Sequence, residues 1–245
     1  MGDEVDIGDF PPTVVHVEPT LSEAVNATQL PWEKDIALSA LWRTALHVTL
    51  QAEHVGATFL GQGVMRAALF ALLVELLAVG SMAVTLALLL MALFPKQMFA
   101  ALLDPQFVVE ALRITTSIVV GLASGLVLLH WLWTLGTELG ALRNDLPRRL
   151  RAGLALSGYS CGWDLITSPF GILAVLFTRG WREVVPTLNA ALRAPRRCSV
   201  AHLEQARGFS AEQRQAVFSF AAWLTGPIVL VLALALLVAF VMALV

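Results

Sequence analysis

The chain has 245 residues, of which 58% are hydrophobic and only 14% charged, with a mean hydropathy of +0.76 and a formal net charge of −2. An ordinary soluble domain carries roughly a quarter charged residues, so this composition excludes one and predicts an all-α, polytopic integral membrane helical bundle of about four to five membrane segments. The small net charge hides a segregation: residues 1–35 hold eight acids against Lys34 alone, whereas Glu138 to Gln215 holds eleven arginines against six acids.

Residues 1–30 begin acidic, where a secretory signal needs a basic start and a short apolar core. With Pro11-Pro12, Pro19 and scattered acids, they are predicted to form a disordered acidic cytosolic tail. Residues 31–60 change to the pattern of an interfacial amphipathic helix. From Ile36 to Val55, the side made by Asp35, Ser39, Arg43, His47 and Gln51 is polar, and Leu38, Leu41, Trp42, Ala45 and Leu46 occupy the other. Such a helix lies in the headgroup layer with Trp42 at the interface, or packs against the membrane domain. His47 and His54 share a face near Glu53, but ligands on one helix are better three or four residues apart and no further histidine or cysteine joins them, so no metal site is expected.

The membrane domain covers residues 61–245. Its first span runs from about Ala67 to Phe94, is uncharged from Leu76 onward, and is closed by Pro95-Lys96. A short loop containing Asp104 and Pro105 leads to a second span from about Val109 to Thr137, where Gly121 and Gly125 form a small-xxx-small pair suited to close helix packing. Arg143, Arg148, Arg149 and Arg151 follow as a compact basic loop, which the positive-inside rule assigns to the cytosol. Residues 179–215 form a second Arg-rich cytosolic loop, of which Pro186 to Gln215 reads as an amphipathic loop or helix pair, with Arg193, Arg196 and Arg197 suited to anionic lipid headgroups. Arginines that flank spans are orientation signals, so nucleic acid is not an expected partner. The last span, Ala216 to Val245, has no charged residue and kinks near Gly226-Pro227.

Between the two basic loops lies Ala152 to Thr178. As one ordinary span it would separate the loops onto opposite sides, against the rule that each obeys. The conflict disappears if the segment enters and leaves on one side, as two short helices in a re-entrant hairpin. Pro169 removes a helix hydrogen bond and Gly171 permits a tight reversal at its middle; a single proline-kinked span is the alternative. The hairpin gives an amino terminus inside and a carboxyl terminus outside. Arginine outnumbers lysine 14 to 2 in a chain rich in alanine and leucine, the usage of a GC-rich bacterial genome, and the expected location is the bacterial cytoplasmic (inner) membrane.

Three titratable residues fall at similar depth in three segments. Glu75 lies nine residues past Arg66, His130 eight before Glu138, and Asp164 thirteen past Arg151; at 1.5 Å per residue the first two sit roughly 12–14 Å from the cytosolic boundary. Ionisable groups at such depth normally face a partner or water. They are candidates for one polar cluster, serving as a hydrogen-bonded clamp between helices or as a proton or solute pathway. Cys161 and Cys198 are expected to be free thiols. No phosphate loop, paired-cysteine metal motif or nucleophile turn is present, so neither catalysis nor a cofactor is expected.

Pro31-Trp32-Glu33, the helix through Leu50, Phe59, His130, Gly158-Tyr159-Ser160 and Pro169-Phe170-Gly171 together resemble the pattern of bacterial members of the Yip family of polytopic membrane proteins, over about Pro31 to Val185. Ala52 stands where that pattern expects a proline, and the carboxyl-terminal Arg-rich loop is longer than the family's. The resemblance implies an all-helical membrane domain of about five segments, a cytosolic amino terminus, and a role in protein partnership or membrane organisation. The expected function is a non-enzymatic membrane scaffold or accessory subunit, in contact with membrane lipids and with a protein partner or a second copy of itself. The alternative is a small solute or proton transporter or channel component that uses the broken segment and the Glu75, His130 and Asp164 cluster.

Overall fold

The computed structural model describes residues 29–59 and 63–244, all of them helix or short connection. The tail expected over residues 1–28 lies outside the described residues. In chain order the helices are α1 (Pro31–Lys34), α2 (Leu38–Leu50), α3 (Ala52–Thr58), α4 (Val64–Leu93), α5 (Pro95–Leu102), α6 (Pro105–Arg143), α7 (Leu150–Ser160), α8 (Gly162–Thr167), α9 (Pro169–Arg179), α10 (Trp181–Ala201), a π-helical turn (His202–Ala206) and α11 (Ala211–Leu244). Three of them, α4, α6 and α11, are long and apolar enough to cross a membrane. The fourth candidate is α7–α8 taken together with α9, a pair bent by 77°.

The long helices divide along their length. α4 buries Ala67, Phe70, Ala71, Val74, Glu75, Ala78 and Val79, then exposes Met82, Leu86, Leu89 and Leu93. α6 runs the other way: Val109, Leu112 and Ile118 are exposed, and burial begins at Ala123 and continues to Ala141. α11 buries Val217, Ala221 and Thr225 before Ile228, Leu230 and Val231 are exposed. The most apolar stretches of α4 and α6 are only 6% and 17% buried, so their outer halves are bare while their inner halves belong to a helical head built with α1–α3 and α7–α10.

Aromatic packing holds that head together. Trp32 meets Phe70 edge-on at 5.9 Å, Phe70 meets Tyr159 at 5.3 Å, and Tyr159 meets Phe59 at 5.7 Å, which ties α1, α4, α7 and the end of α3 into one cluster. α2 takes the packed alternative for the amphipathic segment. Ala40, Leu41, Thr44, Ala45, Val48 and Thr49 are buried, Gly162 of α8 sits against Ala45 and Val48, and Trp163 Nε1 donates to the Val48 carbonyl at 3.0 Å. Ser39 and Arg43 face solvent as expected, but so does Leu38.

Two details of the packing follow from tertiary placement. Among the described residues, a Cβ at Gly121 or Gly125 would meet nothing within 4 Å. The close approach is made instead by Gly136 and Gly140, where a Cβ would lie 3.0 Å from Ala221 Cα and 3.0 Å from the Val217 carbonyl oxygen. Backbone cannot yield as a side chain tip can, so glycine at both positions is what lets α11 lie antiparallel on the inner half of α6. Most of the Arg-rich segment is the helix α10, the helical alternative for that stretch, which keeps Arg193 and Arg196 exposed and buries Ala191, Ala194 and Cys198.

The corner between α8 and α9 forms where the sequence predicts a break. Ser168 caps α9, its Oγ accepting from the Gly171 N–H at 3.2 Å, and Pro169 stands at the first helical position, where its missing N–H costs nothing. Gly171 lies directly on the backbone of Leu165 and Ile166, leaving no room for a side chain.

Candidate functional site

The inner half of α6 carries the polar residues around which the head is organised. The His130 carbonyl accepts hydroxyl bonds from Ser157 Oγ at 2.7 Å and Thr134 Oγ1 at 3.3 Å, which fixes α7 against α6 at this level. Ser160 Oγ donates to the Ser157 carbonyl at 2.5 Å and lies 3.4 Å from His130 Nδ1. With its proton so committed, Ser160 receives the Nδ1–H, and Nε2 becomes the ring atom that faces the carboxylates.

Those carboxylates are the two predicted from depth. Asp164 Oδ2 lies 2.9 Å from His130 Nε2 and Glu75 Oε1 lies 4.0 Å from it, so Glu75, His130 and Asp164 do meet, from α4, α6 and α8. Glu75 is fully buried, and neither of its oxygens has a hydrogen-bond partner among the described residues. Asp164 is the open side of the cluster, with 42% of its side chain exposed. Cys161, the residue between α7 and α8, joins the cluster. One donor atom from each of Glu75, His130 and Cys161 lies within 4.8 Å of the other two. The Cys161-x-x-Asp164 spacing, one helical turn, was the signal available in the sequence.

The His47, His54 and Glu53 grouping takes a different form. Glu53 bonds Arg197 Nε at 2.9 Å, and this pairing holds the Glu53 carboxyl below its usual pKa. Arg197 is therefore engaged with α3, whereas Arg193 and Arg196 remain free to face outward beside Arg214 and Gln215 in a shallow groove. In the first basic segment, Arg143 stacks over the Phe220 ring at 5.5 Å, the Arg149 N–H donates to Glu138 Oε2 at 3.0 Å, and Arg148 and Arg151 are exposed.

The most deeply buried ion pair in the head was not singled out in the sequence. Arg207 Nη1 meets Glu138 Oε1 at 2.6 Å, Nη2 meets Oε2 at 3.4 Å, and the same guanidinium bonds the Pro147 carbonyl and lies 4.7 Å over the Phe209 ring. Through it the chain that leaves the Glu138 level at Arg149 is back at that level by Arg207. Next to this pair, α6, α7, α10 and α11 line a half-open cavity of about 420 Å³, with His130, Glu138, Ser160, Cys198, His202 and Thr225 among its residues.

His202 is buried on the π-helical turn, with Nδ1 3.2 Å from the Gly56 carbonyl. Desolvation, assisted by nearby Arg207 and Arg149, pushes its pKa down from 6.5 to about 4. The unfolded chain therefore binds the extra proton first, and stability present above pH 6.5 is lost progressively as pH falls toward 4. The loss reaches about 3 kcal/mol at its limit. Thermal unfolding in mild detergent should show the wild-type midpoint dropping across this window, and His202→Gln should flatten the dependence; equal slopes for the two proteins would refute the assignment. No family model, curated protein or solved structure matches this chain.

Proposed function

We propose that the chain is a non-enzymatic integral membrane scaffold or accessory subunit of a bacterial cytoplasmic membrane, and that it docks partner proteins. The observation that carries this reading is the division of α4, α6 and α11 into packed inner halves and bare apolar outer halves. Apolar surface of that extent does not face water. It faces lipid and the helices of another protein, and Gly121 and Gly125, with nothing near them among the described residues, let such a helix approach closely.

In this reading the basic segments of the head are cytosolic. Arg143, Arg148, Arg149, Arg151, Arg193, Arg196 and Arg197 then all stand on the inner side, as the positive-inside rule requires. The contact of Arg207 with both Glu138 and Pro147 supports a shared compartment for the two basic segments. The corner around α5 is external, the amino terminus is inside and the carboxyl terminus outside. The broken segment stays with the head: α10 follows it with Arg182, Glu183, Arg193 and Arg196 exposed, and charged faces of that kind do not enter lipid. Such an arrangement agrees with the partnership role implied by the Yip-like motifs.

The transporter reading draws on the Glu75, His130 and Asp164 cluster and on the cavity beside His130. Against it, the outer halves of α4 and α6 are too little buried to enclose a path within one chain. Purification in gentle detergent should bring down a stoichiometric partner or second copy, lost on Gly121→Leu, while liposomes holding the protein show no proton or solute flux. In membrane vesicles, Arg148→Cys and Arg196→Cys should label from the same face. A flux abolished by Glu75→Gln, His130→Ala and Asp164→Asn alike would overturn the scaffold reading in favour of transport.

A further inference from the structure

We propose that Glu75, His130, Cys161 and Asp164 form a zinc-type metal site that staples α4, α6 and the α7–α8 junction together. The inference is independent of whether the head docks a partner. Three observations carry it. Donor atoms of Glu75, His130 and Cys161 lie within 4.8 Å of one another, and Asp164 Oδ2 lies 2.9 Å from His130 Nε2. A tetrahedral zinc ion, with bonds of about 2.0–2.3 Å, spaces its ligand atoms roughly 3.3–3.8 Å apart, so Glu75, His130 and Cys161 need to close by about 1 Å to bind, while Asp164 draws back slightly from His130.

The second observation is Glu75 itself. It is fully buried on α4 and directed at His130 Nε2, yet neither carboxylate oxygen is hydrogen-bonded among the described residues. A buried carboxylate in that condition calls for a cation or a proton. A dication held by two carboxylates, a thiolate and a neutral imidazole leaves one net negative charge, which suits a partly enclosed site better than an unpaired buried carboxylate. Cys161 supplies the soft ligand. Its Sγ is buried and makes a long 3.8 Å contact to the Ser157 carbonyl, and one thiolate with imidazole and carboxylate selects zinc over magnesium or calcium.

The third is the outer support. Ser160 Oγ donates to the Ser157 carbonyl at 2.5 Å and stands 3.4 Å from His130 Nδ1. That arrangement directs Nε2 toward the ligands, the role second-sphere partners of ligating histidines play, and binding of the ion displaces the proton that Nε2 shares with Asp164. Asp164, the exposed member, provides the way in.

The test uses the full chain purified in mild detergent without chelator. Metal analysis should find about one zinc per chain, and Co²⁺ added after chelation should give a thiolate-to-cobalt charge-transfer band with the strong visible bands of tetrahedral Co²⁺. Cys161→Ser should lose the charge-transfer band, Glu75→Gln should lose binding, and Cys198→Ser, which alters a buried thiol outside the cluster, should keep both. Ser160→Ala should retain the band but weaken binding about 10–100-fold. Where a ligand variant does not accumulate in folded form, the wild type decides: a Co²⁺ spectrum without thiolate character, or a thermal midpoint unmoved by zinc or chelator, overturns the site. Retention of the charge-transfer band by Cys161→Ser overturns it equally.

Discussion

Arg207→Ala should destabilise the head by about 3–5 kcal/mol, the range for removing one partner of a buried ion pair. Only 1% of the Arg207 side chain and 5% of the Glu138 side chain are exposed, and the guanidinium meets both carboxylate oxygens and the Pro147 carbonyl. Without it, Glu138 keeps only the Arg149 N–H as a partner, and an unneutralised carboxylate sits beside the cavity. The cost comes chiefly from that stranded charge, since a buried pair of this kind gains little over apolar residues of the same shape. Glu138→Leu combined with Arg207→Met should therefore recover most of the loss. Denaturant or thermal unfolding in mild detergent, followed by tryptophan fluorescence, checks both variants. If Arg207→Ala melted within about 0.5 kcal/mol of wild type, the behaviour of a solvent-exposed pair, the joint between the two basic segments would not exist as described.

What could be read in the sequence followed from hydropathy and from helix arithmetic. Apolar runs gave α4, α6 and α11, and the residue count from the nearest charge brought Glu75, His130 and Asp164 to one level, where two of the three contacts are seen. The break at Ser168-Pro169 was legible because proline and a serine cap act locally. Tertiary choices were not. Gly121-xxx-Gly125 and Gly136-xxx-Gly140 carry the same signal, and only the position of α11 decides that the second pair is covered. Cys161 looked like an inert apolar thiol because its neighbours in sequence are apolar; its polar neighbours come from α4 and α6. Arg207 was one of eleven arginines, and nothing local distinguishes the one that turns inward to Glu138. The amphipathic period of α2 separates Leu41 and Ala45 from Ser39 and Arg43 but misplaces Leu38, and a period says which face is apolar and not whether lipid or protein covers it.

That last ambiguity gives Trp32→Ala its weight. Trp32 is 2% exposed, its indole N–H donates to the Arg66 carbonyl at 3.0 Å, its backbone N–H donates to Thr44 Oγ1 at 2.9 Å, and its ring sits edge-on against Phe70. One residue thus joins α1 to α2 and to the first turn of α4, and removing it opens a void at the head of the Phe70, Tyr159 and Phe59 cluster. Truncating a buried tryptophan costs about 3–5 kcal/mol, and Trp32→Phe should cost less, because the ring volume is largely kept and the lost indole bond is worth about 1 kcal/mol. Limited proteolysis in mild detergent adds a spatial readout. In the alanine variant, α1 to α3 should become cleavable between residues 29 and 59 while the long apolar helices keep their far-ultraviolet circular dichroism. Were α2 instead a helix of the headgroup layer, held by Trp42 and lipid, loss of Trp32 would leave both melting and cleavage unchanged. The two outcomes separate a head built on the amino-terminal helices from one to which they are only adjacent.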